Sequence, residues 1–142
     1  MAAKSTFYSI FNHTADLGIS VRGYSCADLF RNAGIALLEL ILGNTVPKTE
    51  QKLKISIDGN DLPDLMVRWL SEILYLFEGE KLIVTEIIIN SMSKNRITST
   101  LSIKKFDSQY NVILREIKAV TYHQIEVKEK NGLWTARVIF DL

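Results

Sequence analysis

Two places in this chain put side chains together that could do chemistry. The first is His13-Thr14-Ala15-Asp16, where an imidazole three residues ahead of a carboxylate could form a ligand pair or an oriented base. A turn in which Asn12 and Asp16 bond to backbone amides explains the same spacing equally well. The second is the end of the sequence, Phe140-Asp141-Leu142, which sets a side-chain carboxylate about one residue rise from a terminal carboxylate. At an effective dielectric near 20, two like charges ~4 Å apart repel by about 4 kcal/mol. An ordered pair there calls for a cation or for full exposure. The single cysteine, Cys26, opens a helical stretch and reads as packing rather than as a nucleophile. The chain has no Gly-x-x-x-x-Gly-Lys-Ser/Thr loop, no Gly-x-Gly-x-x-Gly and no Gly-x-Ser-x-Gly elbow.

These residues depend on the elements that carry them. Thr6 to Asn12 and Gly18 to Gly23 read as two strands joined by the His13–Asp16 loop. Ser25 and Asp28 form a capping-box-like start, and Leu29, Phe30, Ala33, Leu37, Leu40 and Ile41 then recur at helical spacing until Gly43. Residues 52–58 alternate as a half-buried strand, with Leu53, Ile55 and Ile57 on one side. Asp61 caps a second helix whose apolar face runs from Leu62 to Phe77, with Arg68, Ser71 and Glu72 outside it or at its border. From Lys81 onward the chain reads as strands: 82–90, 96–104, about 112–120, 122–128 and 134–141.

Asn131-Gly132 is a favoured two-residue hairpin turn, and it sets a register. Counting back places Lys130 opposite Leu133, Glu126 beside Arg137, Tyr122 beside Asp141, and His123 opposite Phe140 on the apolar face. His123 is therefore expected in the core. The pattern as a whole predicts an α+β fold: a two-layer α/β sandwich in which two helices pack on one face of a mixed, mostly antiparallel sheet.

The 142 residues suit one domain spanning 1–142. A monomer of this size buries roughly 68% of its unfolded surface, so it needs no disulfide, and with one Cys it can form none internally. With 17 Lys plus Arg against 16 Asp plus Glu, the dispersed charge argues against a nucleic-acid groove or an anionic membrane partner. The N-terminus lacks the apolar run of a secretory signal and no stretch approaches ~20 apolar residues, so a cytoplasmic location is expected.

Four separated blocks, in order, resemble the archease family: His13-Thr14-Ala15-Asp16-Leu17-Gly18-Ile19 with Gly23, the helix segment from Leu65 to Tyr75, Lys118-Ala119-Val120-Thr121-Tyr122-His123, and Phe140-Asp141-Leu142. The resemblance covers Tyr8 to Leu142. It implies a protein that is no enzyme itself but activates an RtcB-type tRNA-splicing RNA ligase, promoting that ligase's guanylylation and repeated turnover. An older reading of the family is a general chaperone or adaptor for RNA-modifying enzymes. By resemblance the functional centre is a metal site of Asp16, Asp141 and Leu142, the last through a backbone or terminal carboxylate oxygen.

An oxygen-only donor set suits a hard ion, Ca²⁺ or Mg²⁺, with water completing the shell. Lys118 is a candidate partner or phosphate contact, His13 a further functional candidate, and Glu72 a weaker one. Two places depart from the family pattern. Residues 104–111 read Lys-Lys-Phe-Asp-Ser-Gln-Tyr-Asn where Gly-Glu before Asp107 and a His after it are usual, and Ser71 replaces a usual Asn.

Overall fold

The computed structural model describes residues 6–13, 15–43 and 50–142, with His13 described in its backbone only. The elements in chain order are β1 (Tyr8–His13), β2 (Asp16–Gly23), α1 (Cys26–Leu42), β3 (Lys52–Asp58), α2 (Leu62–Glu78), β4 (Leu82–Met92), β5 (Arg96–Lys105), β6 (Ala119–Val120), β7 (Glu126–Lys130) and β8 (Leu133–Asp141). The α+β expectation holds. The expected single sheet, however, is two: β1-β2-β8-β6, with β7 also on β8, and β3-β5-β4. Every described pairing is antiparallel.

The helices bridge the two sheets. α1 packs on β2 and β4, while α2 packs on β4, β3 and β6. Alternation explains which strand residues meet them: Leu17, Ile19 and Val21 of β2, and Ala136, Val138 and Phe140 of β8, are buried, and the intervening positions face away.

Both helix starts close by reciprocal side-chain bonds that offset the unpaired first-turn amides. The Ser25 hydroxyl accepts the Asp28 N–H at 3.0 Å and Asp28 accepts the Tyr24 N–H at 2.9 Å. In α2, Asp61 accepts the Asp64 N–H at 2.9 Å and Asp64 accepts the Asn60 N–H at 2.8 Å.

The strand expected over 112–120 shrinks to Ala119–Val120, and α1 supplies the reason. Its C-terminal carbonyls need donors, and they take them from this segment: Leu114 and Arg115 donate backbone N–H groups to the Ile41 carbonyl at 2.6 and 3.2 Å. The Arg115 guanidinium also donates to the Leu40 carbonyl at 3.2 Å, placing a cation at the negative end of a helix whose own last turn has none. Amides committed to a helix end are not available to a strand ladder. Tyr110, Val112, Ile113 and Leu114 are left exposed in consequence.

The Asn131-Gly132 turn forms as expected, with both residues at positive φ (54° and 82°) and the Gly132 N–H donated to Glu129. The predicted pairs Lys130↔Leu133 and Glu126↔Arg137 are observed. Beyond Glu126 the counting fails, because five residues, 121–125, span what Val138 and Ile139 span on β8. Gln124 at φ 52° and an Ile125 N–H bond to the Tyr122 carbonyl turn the chain there. Val120 therefore lies opposite Phe140, His123 is exposed instead of in the core, and Tyr122 does not face Asp141.

Tyr8 anchors β1 to α1 by donating its hydroxyl to the buried Glu39 at 3.0 Å. Burial, and then the Glu39 carboxylate, push the Tyr8 phenol up to about 12 from 10.0. A phenol that ionises more readily when unfolded favours the native state fully below pH ~10 and progressively less as pH rises toward ~12. Urea unfolding midpoints should accordingly fall across that window. Tyr8→Phe should flatten that part of the alkaline limb at a cost of about 1 kcal/mol at neutral pH; an identical alkaline limb in both proteins would contradict the assignment.

Candidate functional site

Asp16 is a strand residue and not a loop residue. The β1–β2 ladder runs to the pair His13↔Asp16, with Ala15 at φ 62°. On the other side of β2, Asp16 pairs directly with Asp141 of β8, and Asp141 pairs in turn with Ala119 of β6. Direct partners in an antiparallel ladder project to the same face, with Cβ atoms about 5 Å apart. Two carboxylates distant in sequence are thus side by side. They lie on the face opposite the helices, since Leu17 and Phe140 beside them point into the core.

Around this pair the backbone is tied down. Lys118 donates its N–H to the Asp141 carbonyl at 2.9 Å, and Thr121 gives both its N–H (3.0 Å) and its hydroxyl (2.8 Å) to the Ile139 carbonyl. One step along the same face, Phe11 lies across β2 at Gly18, where any Cβ would come within 2.2 Å of its ring. The Arg137 guanidinium sits 4.2 Å over that ring, so the cation on this face of β8 is engaged with an aromatic rather than with Asp141.

The other candidates are distributed as follows. The Lys118 side chain is exposed, next to Ala119, and its backbone touches the site. The His13 backbone lies opposite Asp16, and its side chain falls outside the described residues. Leu142 follows Asp141 and is exposed. Glu72 is brought elsewhere: with Arg68, Ser71, Val120 and Tyr122 it lines a groove of ≈ 520 Å³ between α2, β3 and β6, whose lining includes neither Asp16 nor Asp141. In the 104–111 stretch, Asp107 accepts the Gln109 N–H and its own N–H bonds to the Asn111 side chain, so this carboxylate serves its turn.

The donor chemistry fits a hard divalent cation. Two like charges placed directly opposite each other are mutually repulsive, and a cation between them would relieve this. Among the described residues no three His, Cys, Asp or Glu side chains cluster to hold a metal. The Asp pair would therefore need the oxygens of Leu142 and water to complete a shell.

One group of residues had no signal in the sequence. The Tyr122 hydroxyl donates to Asp64 Oδ1 at 2.6 Å across 58 residues, while Asp64 Oδ2 takes the Asn60 N–H and Arg68 Nε at 2.9 Å. Those donors, Tyr122 first, hold the Asp64 carboxyl below its ordinary range, and the bond to Asp64 raises the Tyr122 phenol. The visible clue, Asp64 at the third position of α2, explains its capping but says nothing of Tyr122.

The model of the archease protein family (MTH1598/TM1083) matches residues 8–142. The chain is similar to "Protein archease" of Methanosarcina barkeri, 30% identical with both chains covered completely, and to that of Pyrobaculum islandicum, 31% identical over 98% of this chain and 97% of the relative. Its fold matches the solution structure of Methanobacterium thermoautotrophicum protein 1598, with TM-score 0.78, 26% identity, and coverage of 96% of this chain and 99% of that one. It also matches a Thermotoga maritima archease described as a possible chaperone, with TM-score 0.65, 22% identity, and coverage of 93% and 94%.

Proposed function

Because the chain belongs to the archease family, we propose that it is a metal-bearing protein activator, without catalysis of its own, of an RtcB-type RNA ligase in tRNA splicing or RNA repair. The observation that carries this reading is the direct Asp16↔Asp141 register, with Leu142 one residue on. Asp16, Asp141 and an oxygen of Leu142 would hold Ca²⁺ or Mg²⁺. Bound there, the ion would supply positive charge to oxygens of the partner's reacting groups. The chain's own residues keep the two carboxylates in register through β2 and β8 and hold the Asp141 carbonyl through the Lys118 N–H. They present all of this on the solvent face, where a partner can reach it. The exposed Lys118 ammonium is suited to contact a phosphate or an acidic partner group.

The test is a multiple-turnover assay of the matching ligase with and without this protein, in the presence of Ca²⁺ or Mg²⁺. Acceleration that disappears when the cation is chelated and returns on its addition is the expected result. No acceleration under any cation condition would overturn the reading.

The exposed run Tyr110, Val112, Ile113 and Leu114 favours a second reading, a chaperone or adaptor acting through apolar surface. Activation insensitive to chelation and lost on Val112→Ser/Ile113→Ser would select it. Among the described residues no helix is long and apolar enough to cross a membrane.

A further inference from the structure

A two-residue strand at a sheet edge is a weak holder of anything, yet β6 is what flanks Asp141 on the side away from β2. Two ladder pairs, Ala119↔Asp141 and Val120↔Phe140, attach it to β8. Immediately after them the chain leaves the ladder for the 121–125 turn, and Tyr122 in that turn reaches α2 through its bond to Asp64. Asp64 is a firm anchor, because one of its oxygens is already fixed by the Asn60 N–H and the Arg68 guanidinium, and its backbone N–H is capped by Asp61. A short bond from a phenol to a carboxylate is of the stronger, charge-assisted kind. The path is therefore continuous: the rigid start of α2, the Tyr122 hydroxyl, β6, and then the Lys118 and Ala119 backbone against Asp141.

We propose that Tyr122 is a positioning residue: its bond to Asp64 clamps β6 along β8 and so holds Asp141 in the arrangement that the cation site uses. The clamp rests on the metal reading above for its purpose, though not for its existence. Without the clamp, β6 retains its two ladder pairs, the Thr121 contacts and its packing on α2, but loses its hydrogen bond to the helix layer. Asp141 then sits between β2 and a two-residue edge strand that has lost one of its ties. Tyr122 touches neither the carboxylate pair nor a reacting group, so its effect is through β6 alone.

Two measurements on Tyr122→Phe separate the clamp from the metal reading. Amide hydrogen exchange at Lys118 and Thr121 should be about tenfold faster than in the parent protein, while Ile19 and Val138 remain unchanged. Calorimetric titration with CaCl₂ should show affinity lower by about three- to tenfold. Asp64→Ala should accelerate the same two amides, and the double variant should exchange no faster than Asp64→Ala alone, as coupled partners require. Unchanged exchange at Lys118 and Thr121, or additive effects in the double variant, would overturn the clamp. Faster exchange with unaltered calcium affinity would overturn its role in positioning Asp141. If the parent protein itself takes up no calcium or magnesium, the metal reading fails, and the exchange data still decide whether the clamp exists.

Discussion

Asp141→Ala should leave the protein folded and lower the proposed activation of an RNA ligase by about a hundredfold or more. Disrupting the outer partners of metal ligands already costs about 10–100-fold, and this substitution removes a proposed ligand itself. Asp16→Ala should behave in the same way, since each carboxylate is half of one cross-strand pair. The stability readout separates this from a folding defect. Asp141 is exposed, and a like charge directly opposite it costs about 0.2–1 kcal/mol in the absence of a cation. Removing it should therefore raise the midpoint of thermal unfolding by about 1–3 °C in chelator, and added calcium should stabilise the parent protein but not the variant. Full multiple-turnover activity in both Asp variants would dispose of the mechanism.

Trp69→Ala should produce the largest loss of stability of any single change considered. Trp69 is 0% exposed and heads the fully buried side chains by volume, and its indole N–H donates to the Phe30 carbonyl at 2.8 Å, joining α2 to α1. Truncating a buried tryptophan typically costs about 3–5 kcal/mol, a large share of the 5–15 kcal/mol that holds a domain together. For this chain that corresponds to a fall in melting temperature of about 10 °C or more. Trp69→Phe, which keeps an aromatic body and loses the indole donor, should cost about half as much. Urea unfolding followed by circular dichroism would measure both, and a loss below about 1 kcal/mol in the alanine variant would show that the core relaxes around the cavity. Because α1 and α2 bridge both sheets, Trp69→Ala should also lower activation without any contact to the carboxylate pair.

The readings that survived unchanged in the structure rest on local physics. The helix caps at Ser25 and Asp61, the β3 bounds, the Asn131-Gly132 turn and the pairs up to Glu126↔Arg137 each depend on a few neighbouring residues and a fixed period. The half-buried Cys26 packs against the core, and burial raises its thiol, as a packing role requires. The failures share a different cause. The segment 112–118 has the composition of a strand, but Leu114 and Arg115 are claimed by the end of α1, over 70 residues earlier in the chain. His123 and Tyr122 were misplaced because a register counted from a turn holds only while the ladder is regular, and the 121–125 excursion interrupts it.

The family resemblance implies the residues of the proposed site and their convergence; the strand register that sets Asp16 opposite Asp141 is not legible in the sequence. By itself the sequence determined the two helices and their starts, the β3 strand and the final hairpin, while the family resemblance named Asp16, Asp141 and Leu142. The elements follow from side-chain chemistry and periodicities of 2 and 3.6, which act over a few residues. Only the tertiary structure decided that β8 lies between β2 and β6, which sets Asp16 and Asp141 opposite each other, divides the strands into two sheets, and carries Tyr122 to Asp64. Strand order and long-range donors are chosen by which buried faces and unpaired carbonyls can be satisfied together across the whole chain, and no short window of residues contains that information.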